Sequence, residues 1–390
     1  MDRRGLMRGG ALAAAGLVLG RPGMARSQTG FASPPAIVPI HATPDRLFRV
    51  TVCTRPFRAA GPRIEVEQVG RKRVVHHYGH GGSGWSLSWG SAQEAVPLAL
   101  ADGVREVAVI GAGAIGLTTA ITAQRMGAKV TIYAKERFPY VRSARATGSW
   151  TPDSRIAIEG ATAADFATRW ERMARAAFQY HQSFLGTPGD PVEWVDRYSL
   201  MERHHGASAE ALQAGRPQFA TFGDRIRDIT PSSEMMVAGT HPFDAPVVRR
   251  TVAMTFNVAD LARQLEHDFL ISGGRFVPAE FHEPADLARI REKVVINCTG
   301  YGARALFRDE SVVPVRGQIA WLLPQRGAFY GLYHDGLSIL ARRDGIVLQP
   351  VGADDYFGYG DDSEVPDYAA AYEAVAHAAR LFRPRGAPSA

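Results

Sequence analysis

Residues 107–136 constrain the fold of this chain more than any other segment. An apolar strand at residues 107–110 runs into the letters GAGAIG, and a largely apolar helix and a second strand follow. In such a strand–turn–helix–strand unit, the first glycine permits the tight turn and the second lets the backbone approach a pyrophosphate. The third glycine lets the helix pack on the strand, and the helix N-terminus faces the phosphate charge. The segment therefore predicts a dinucleotide-binding unit in an α/β domain.

The residues of this turn that we expect at the dinucleotide are Gly111, Ala112, Gly113, Ile115 and Gly116. A ribose needs an acidic partner about 20 residues beyond the glycine turn, and Glu136 lies at that distance. The usual position for this acid is the end of the second strand, here Ala134, and Lys135 is an alternative partner for a phosphate. The spacing alone leaves three options open: NAD, FAD and a glycine-rich turn without a nucleotide.

Three further segments carry motifs. A late apolar strand leads into Thr-Gly at residues 294–300, with the letters VVINCTG. Residues 55–58 read RPFR after a predicted strand, and residues 77–85 read HYGHGGSGW before a predicted helix. Thr-Gly after a strand is common. The arginine motif and the glycine-rich motif, occurring together, are far more specific.

Together these motifs resemble the D-amino-acid oxidase family of FAD-dependent oxidoreductases, and residues 315–319 (VRGQI) are similar to a further family segment. The resemblance implies FAD as the cofactor. In family members the arginine motif and the glycine-rich motif lie near the C-terminus, whereas here they precede the first nucleotide-binding strand. We therefore predict a circular permutation joined through residues 98–107, because compact domains with neighbouring termini tolerate such rejoining.

The resemblance also implies site residues. Arg55 matches the arginine that binds the substrate carboxylate, a group that a guanidinium can hold with two parallel hydrogen bonds. Gly82 matches the residue whose carbonyl accepts a hydrogen bond from the substrate amine. The residues implied beside the FAD are Gly81, Gly84, Trp85, Ser86, Thr299 and Gly300. The alternatives are a surface salt bridge at Arg55 and a merely flexible glycine turn.

Substrate preference is less constrained by the sequence. Family members carry substrate-contacting tyrosines after the Arg-Gly-Gln segment, but residues 337–343 (LSILARR) contain none. Tyr333 is our substrate-binding candidate among the nearby tyrosines, with packing as its alternative. Arg342 or Arg343 would favour a substrate with an acidic side chain.

The reaction implied by the resemblance is oxidative deamination of a D-amino acid. A hydride passes from the α-carbon to flavin N5, the imino acid is hydrolysed to a 2-oxo acid and ammonia, and O2 reoxidises the flavin to give H2O2. Orientation is the main catalytic device, so no catalytic acid or base is predicted. Two alternatives stay open: a dehydrogenase that passes electrons to a quinone or carrier, and an FAD-binding protein without turnover.

The predicted fold class is α/β with an α+β second domain. An FAD-binding Rossmann-like domain of glutathione-reductase type is interleaved with an antiparallel-sheet substrate domain, and a chain of 390 residues is long enough for both. The predicted divisions are a linker at 26–47, the FAD-binding domain at 48–150 and 251–310, the substrate domain at 151–250 and 311–382, and a tail at 383–390.

Residues 1–25 have the pattern of an export signal. Arg3 and Arg4 precede apolar residues in a way that resembles a twin-arginine signal, a route that carries folded proteins. The apolar run at residues 11–20 is too short to span a bilayer, so no stable membrane anchor is expected. We predict the twin-arginine export machinery as a partner and a periplasmic or secreted location.

Charge and cysteine content exclude other classes. The net charge of +6 falls further once the basic signal is removed, and no basic run interleaved with aromatics follows residue 30. Nucleic-acid binding is therefore not expected. Cys53 and Cys298 are the two cysteines, which excludes a disulfide framework. No metal site is predicted.

Overall fold

The computed structural model of this protein describes residues 37–201, 216–237 and 239–382. The predicted export signal, the linker before residue 37 and the tail at 383–390 lie outside the described residues. Within the described ranges, no helix is both long and apolar enough to cross a membrane.

The strands of the described residues form two sheets. In chain order they are β1 (Leu47–Phe57), β2 (Arg63–Val69), β3 (Lys72–Tyr78), β4 (Glu106–Ile110), β5 (Lys129–Ala134), β6 (Val192–Met201), β7 (Glu234–Met235), β8 (Val247–Phe256), β9 (Arg275–Pro278), β10 (Val294–Asn297), β11 (Val313–Leu322), β12 (Tyr330–His334), β13 (Leu337–Arg342) and β14 (Gly345–Pro350).

The helices lie between and after these strands. They are α1 (Gly84–Leu100), α2 (Ala114–Arg125), α3 (Phe166–Gln182), α4 (Val258–Ile271), α5 (Gly302–Leu306) and α6 (Tyr368–Ala379).

The six-stranded sheet has the order β2-β3-β10-β4-β5-β9. All its pairings are parallel except that of the edge strand β2 with β3. Val107, Ala108 and Val109 of β4 are fully buried, as expected for a parallel strand that is covered on both faces. Helices α1, α2 and α4 contribute to the core on one face. The carboxyl ends of the parallel strands therefore share one edge, which is where open α/β sheets bind ligands.

The eight-stranded sheet has the order β1-β11-β14-β13-β12-β6-β8-β7. Its pairings are antiparallel except for that of β12 with β6. Helix α6 covers one face with Ala371, Ala374 and Val375, and the side chain of Asp367 caps its N-terminus by accepting from the backbone N–H of Ala370 at 3.0 Å. The first and last described residues, Ile37 and Phe382, both pack against this same core.

Helices α1 and α3 cross at very short range. A Cβ built on Gly90 of α1 would lie 1.9 Å from the backbone oxygen of Met173 in α3. Glycine is therefore required at this crossing, because neither backbone can yield locally.

The connection from α1 to β4 is short and tied to the sheet. Residues 101–105 join the two elements, and Arg73 of β3 donates hydrogen bonds to the backbone oxygens of Ala99 and Ala101 at 3.1 and 3.0 Å. Arg73 also pairs with Asp102 at 2.7 Å. The end of α1 is thus fixed beside the start of β4.

The predicted fold class is confirmed, with a mainly parallel sheet and a second, mainly antiparallel sheet. Four strands were not predicted: β6, β7, β8 and β12. Strand β1 pairs with β11 in the eight-stranded sheet, although the sequence prediction grouped residues 48–150 with the nucleotide-binding domain. The domain boundaries themselves stay predictions.

Candidate functional site

A cavity of about 660 Å³ lies between the carboxyl edge of the six-stranded sheet and the inner face of the eight-stranded sheet. This volume is typical of sites for small molecules and cofactors. Most of the predicted site residues line it: Arg55, Gly81, Gly82, Gly84, Trp85, Gly111, Ala112, Gly113, Ile115, Glu136, Thr299 and Gly300. The structure therefore brings motifs from distant parts of the chain to one cavity.

The glycine turn after β4 is a backbone cradle. Gly111 has φ 102°, and a Cβ on it would lie 2.6 Å from the carbonyl oxygen of Cys298. Gly116 does not line the cavity; its Cβ would lie 1.9 Å from the oxygen of Gly111, so it serves close packing of α2 on the turn. Ser143 accepts a hydrogen bond from the N–H of Ala114 at 3.0 Å. The turn and the first residues of α2 fit a pyrophosphate.

The turn after β10 lies beside this cradle. The N–H of Cys298 donates to the carbonyl of Ile110 at 2.9 Å, which joins the ends of β10 and β4. The side-chain oxygen of Asn297 accepts from the Thr299 hydroxyl at 2.7 Å and from the Thr299 N–H at 3.3 Å. Burial raises the pKa of the Cys298 thiol to about 12, so this cysteine packs as a neutral side chain.

At the far end of the cavity, Lys135 and Glu136 follow β5, and only the lysine has a charged partner among the described residues. Lys135 donates to Glu280 at 2.8 Å, so this lysine is held by a protein carboxylate. Glu136 lines the cavity, is exposed, and has no ion pair among the described residues. Glu136 is therefore the better placed of the two for a ribose hydroxyl.

The glycine-rich loop before α1 is closed against residues 154 and 155. Gly81 has φ 54°, and a Cβ on it would lie 1.9 Å from the carbonyl oxygen of Arg155. The N–H of Gly82 donates to the carbonyl of Ser154 at 2.9 Å, and the Ser83 hydroxyl donates to the same oxygen at 3.0 Å. The loop is a fixed wall of the cavity rather than a flexible turn.

Trp85 and Ser86 lie at the start of α1 and have different roles. The indole N–H of Trp85 donates to the carbonyl of Ser143 at 2.9 Å, so Ser143 connects α1 with the cradle at α2. Ser86 is 1% exposed and does not line the cavity, because its hydroxyl accepts from the backbone N–H of Thr151 at 2.8 Å. The Ser86 hydroxyl therefore supports the backbone at residue 151 and not the cavity surface.

Arg55 of β1 lines the cavity beside Arg316 and Gly317. One guanidinium nitrogen donates to the carbonyl of Arg316 at 3.3 Å. A Cβ on Gly317 would lie only 2.3 Å from the other terminal nitrogen, so the head group occupies the space that this glycine leaves. No carboxylate of the described residues lies within salt-bridge distance, so the alternative of a surface salt bridge has no partner there.

Arg155 also lines the cavity and was not predicted from the sequence. It is 7% exposed and has φ 47°, a conformation that non-glycine residues seldom adopt. Its Nε donates to the carbonyl of Asp355 at 2.6 Å, and its Nη2 lies 3.4 Å from the Asp355 carboxylate. Burial, and secondarily the charge of Arg55, lowers the pKa of Arg155 to about 10. The two guanidinium groups therefore share one region of positive potential.

Arg197 of β6 is a second cavity residue that the sequence did not reveal. It donates to the hydroxyl of Ser149, and burial lowers its pKa to about 10. The β-branched and aromatic residues within 192–201 could have indicated a strand, but they do not show that the Arg197 side chain faces a cavity.

The predicted substrate tyrosine does not reach the cavity. Tyr333 pairs with Ser338 across β12 and β13 and is 45% exposed, whereas Ser338 and Gln349 line the cavity wall. Tyr330 is turned to the other face, where its hydroxyl donates to the carbonyl of Val38 at 2.6 Å. The part of the cavity wall at which the family resemblance implies tyrosines therefore carries the polar side chains of Ser338 and Gln349.

Arg342 and Arg343 do not line the cavity either. Arg342 is engaged by Asp344 through a bidentate contact, and Arg343 pairs with Glu193 at 2.7 Å. The expectation that one of them faces the substrate is not met, because carboxylates outside the cavity hold both.

Comparisons with known proteins give consistent similarities. The family model described as FAD dependent oxidoreductase, DAO, matches residues 106–389. A D-amino-acid oxidase of Streptomyces coelicolor is 28% identical over 219 residues, which cover 55% of this chain and 58% of that protein. A D-amino-acid oxidase of Dictyostelium discoideum is 28% identical over 218 residues, or 54% of this chain and 55% of that protein. The chain thus spans little more than half the length of these curated relatives.

Among solved structures, the crystal structure of glycine oxidase from Geobacillus kaustophilus has a TM-score of 0.50 at 15% identity. The similarity covers 72% of this chain and 79% of that one. At this low identity, the similarity shows that the two proteins share a fold and shows nothing further.

Proposed function

Since the chain belongs to the DAO family of FAD-dependent oxidoreductases, we propose that it carries out FAD-dependent oxidative deamination of D-amino acids. The observation that carries this proposal is the position of Arg55. Its guanidinium lines the cavity that the nucleotide cradle also lines, and no carboxylate of the described residues neutralises it. A carboxylate of the substrate would supply the missing partner.

The described residues fit FAD at its phosphate end. The cradle of Gly111 and Gly113 and the start of α2 would hold the pyrophosphate, with Ser143 fixing the first turn of the helix. Glu136 would bind the ribose, and Thr299 and the glycine-rich loop would border the flavin half. FAD supplies a two-electron acceptor for the hydride from the α-carbon and returns the electrons to a second acceptor such as O2.

The protein's part in the reaction is to orient the substrate. Arg55 would hold the α-carboxylate and the Gly82 carbonyl would accept from the amine, which leaves one enantiomer able to present its α-hydrogen. Three titratable residues of the cavity, Cys53, Tyr78 and His80, are poor bases or acids at neutral pH. Burial lowers the pKa of His80 to about 3 and raises the pKa values of Tyr78 and Cys53. These pKa shifts favour a mechanism in which the protein orients the substrate over one that uses a general base.

Flavin bleaching tests the proposed function directly. The purified chain is loaded with FAD and mixed anaerobically with a panel of D-amino acids, their L-enantiomers and glycine. Bleaching by D-amino acids, followed by peroxide when air is admitted, is the expected result. Bleaching without peroxide would instead favour a dehydrogenase, and no bleaching by any compound would leave an FAD-binding protein without turnover.

Replacing Arg55 tests its role. Arg55→Gln removes a charge-assisted pair worth about 3 kcal/mol, so kcat/KM should fall by about 10²-fold. FAD content should stay that of the parent protein, because Arg55 contacts no residue of the pyrophosphate cradle. Unchanged kinetics in the variant would remove Arg55 from this role.

The circular permutation is a further part of the proposal. The family match begins at Glu106, the first residue of β4, so β1 and the glycine-rich loop precede it. The five residues 101–105 suffice as the new joint, and Ile37 and Phe382, near the sites of the proposed cut, pack against one core. A chain re-joined to begin at residue 104, with residues 37–103 linked after residue 382, should fold and bind FAD. Failure to bind FAD would count against the permutation.

Export through the twin-arginine machinery, to the periplasm or the medium, is proposed from the pattern of residues 1–25 alone. Substitution of Arg3 and Arg4 by Lys should retain the protein inside a bacterial host. Equal export of both forms would refute the twin-arginine route.

A further inference from the structure

The cavity carries an excess of positive charge. Within the described ranges, its arginine and lysine residues are Arg55, Lys135, Arg142, Arg145, Arg155 and Arg197, and its carboxylates are Glu136 and Glu280. Most of these cations have a protein carboxylate nearby. The pairs are Lys135 with Glu280 at 2.8 Å, Arg142 and Arg145 with Glu364 at 2.5 and 3.6 Å, and Arg155 with Asp355 at 3.4 Å.

Two guanidinium groups of the cavity, those of Arg55 and Arg197, have no carboxylate within 4 Å in the described part of the chain. The α-carboxylate of an amino acid accounts for Arg55. Arg197 is then a cation without an anion. Its Nε is buried and has no hydrogen-bond partner among the described residues, and its one bond is to the neutral hydroxyl of Ser149. Arg197 is only partly exposed, and a partly desolvated charge without a partner ion is unfavourable, so the site favours an anion brought by a ligand.

The strands around Arg197 leave it room. Gly331 of β12 is its partner in register, and a Cβ there would lie 3.3 Å from the Arg197 side chain. The neighbouring wall carries Ser338, a small polar residue, and Gln349, whose amide oxygen accepts a hydrogen bond from the Thr147 hydroxyl. A side chain longer than a methyl group and ending in a polar group therefore fits this wall better than an aromatic one.

We infer that the substrate of this protein carries a second carboxylate in its side chain, and that Arg197 is the specificity-determining residue that receives it. This inference rests on the proposed function. Arg55 and Arg197 would then bind the two carboxylates of a dicarboxylic D-amino acid, each with a separate guanidinium. The corresponding amides, D-asparagine and D-glutamine, have nearly the same shape without the charge, and so isolate the contribution of the arginine.

The test compares acids with their amides. Flavin reduction is measured anaerobically with D-aspartate, D-glutamate, D-asparagine, D-glutamine and D-alanine. A charge-assisted bond to Arg197 should make kcat/KM for the better acid about 10- to 100-fold higher than that for its amide. Arg197→Gln should bring this ratio to about one. Arg343→Gln is the matched control, because it removes the same charge from a residue outside the cavity and should leave the ratio unchanged.

The outcomes separate the possibilities. Equal or faster reduction by the amides in the parent protein would overturn the inference while leaving the proposed function in place. An acid preference that survives Arg197→Gln would remove Arg197 from the role. If Arg197 instead binds the cofactor, the variant should lose FAD and keep its acid-to-amide ratio, which would also overturn the assignment.

Two further measurements keep the inference testable. If no D-amino acid reduces the flavin, the proposed function fails, and calorimetric binding of D-aspartate against D-asparagine to the FAD-loaded chain still decides the charge preference. Equal affinities would refute it. If Arg197→Gln does not fold, Arg197→Lys keeps the charge without the planar fork and should retain only part of the preference.

Discussion

Gly317 limits where the Arg55 guanidinium can lie, and Gly317→Ala should therefore disturb Arg55 without touching its charge. The added methyl carbon would stand 2.3 Å from one terminal nitrogen of Arg55, whereas ordinary contacts begin at 3.4 Å. The Arg55 head group must move by about 1 Å, because it is the end of a flexible side chain. The backbones of β1 and β11 cannot move instead, since they are fixed by their pairing with each other.

A displacement of about 1 Å in an orienting group costs about 10²-fold in rate, which equals about 2.7 kcal/mol of transition-state stabilisation. The Gly317→Ala variant should therefore lose about 10²-fold in kcat/KM for flavin reduction in a stopped-flow assay. Its FAD content and melting temperature should stay close to those of the parent, because the clash is with the mobile end of a side chain.

Gly223→Ala is the matched control, since its methyl group would make only an ordinary contact, 3.7 Å from the Asp153 carboxylate, outside this cavity. It should keep the parental kinetics. If Gly317→Ala also stays within about 3-fold of the parent, the space above Gly317 does not position Arg55 and the reasoning is wrong.

Two predictions concern stability. Burial lowers the pKa of His80 from 6.5 to about 3 and that of His181 from 6.5 to about 4. The stability that depends on the neutral histidines is therefore complete above about pH 6.5 and falls at lower pH, because the unfolded chain takes up protons first. At pH 5 the free energy of unfolding should be lower by about 2 kcal/mol for each histidine. Urea unfolding at pH 7.5 and 5.0 measures this loss, and an equal or higher free energy of unfolding at pH 5 would contradict it. Gly90→Ala forces a methyl group against the Met173 carbonyl and should destabilise the protein by about 1–3 kcal/mol or more, while Gly84→Ala, which meets nothing within 4 Å, should not; equal melting temperatures for the two variants would refute the close crossing.

The parts of the site that could be predicted are those encoded by short segments. The turn at 111–116 needs glycines because its backbone contacts itself and Cys298 just after the neighbouring strand β10. The spacing of the glycines is therefore enough to predict this turn. Arg55 and the glycine-rich loop were found through their resemblance to a family, and the structure places both at the cavity. Local sequence was sufficient wherever the backbone itself forms the site.

The parts that could not be predicted depend on strand register. Arg197 reaches the cavity because β6 lies beside β12 and Gly331 faces it, and nothing within 192–201 states which strand will be its neighbour. Ser143 links α1 with α2 through contacts separated by 58 and 29 residues. Tyr333 illustrates the reverse error: it is close in sequence to the right strand pair, yet it is half-exposed outside the cavity.

The place of β10 in the six-stranded sheet has a consequence for synthesis. This strand lies between β3 and β4, but Asn297 at its end comes 187 residues after Ile110 at the end of β4. At about 5–20 residues per second, a ribosome needs about 10–40 seconds to supply the missing strand. During that interval β3 and β4 each lack the strand that pairs with them, and unpaired strand edges are the condition under which chains aggregate or recruit chaperones. Any truncation before residue 294 would leave this gap permanently open and the nucleotide cradle without its neighbouring turn.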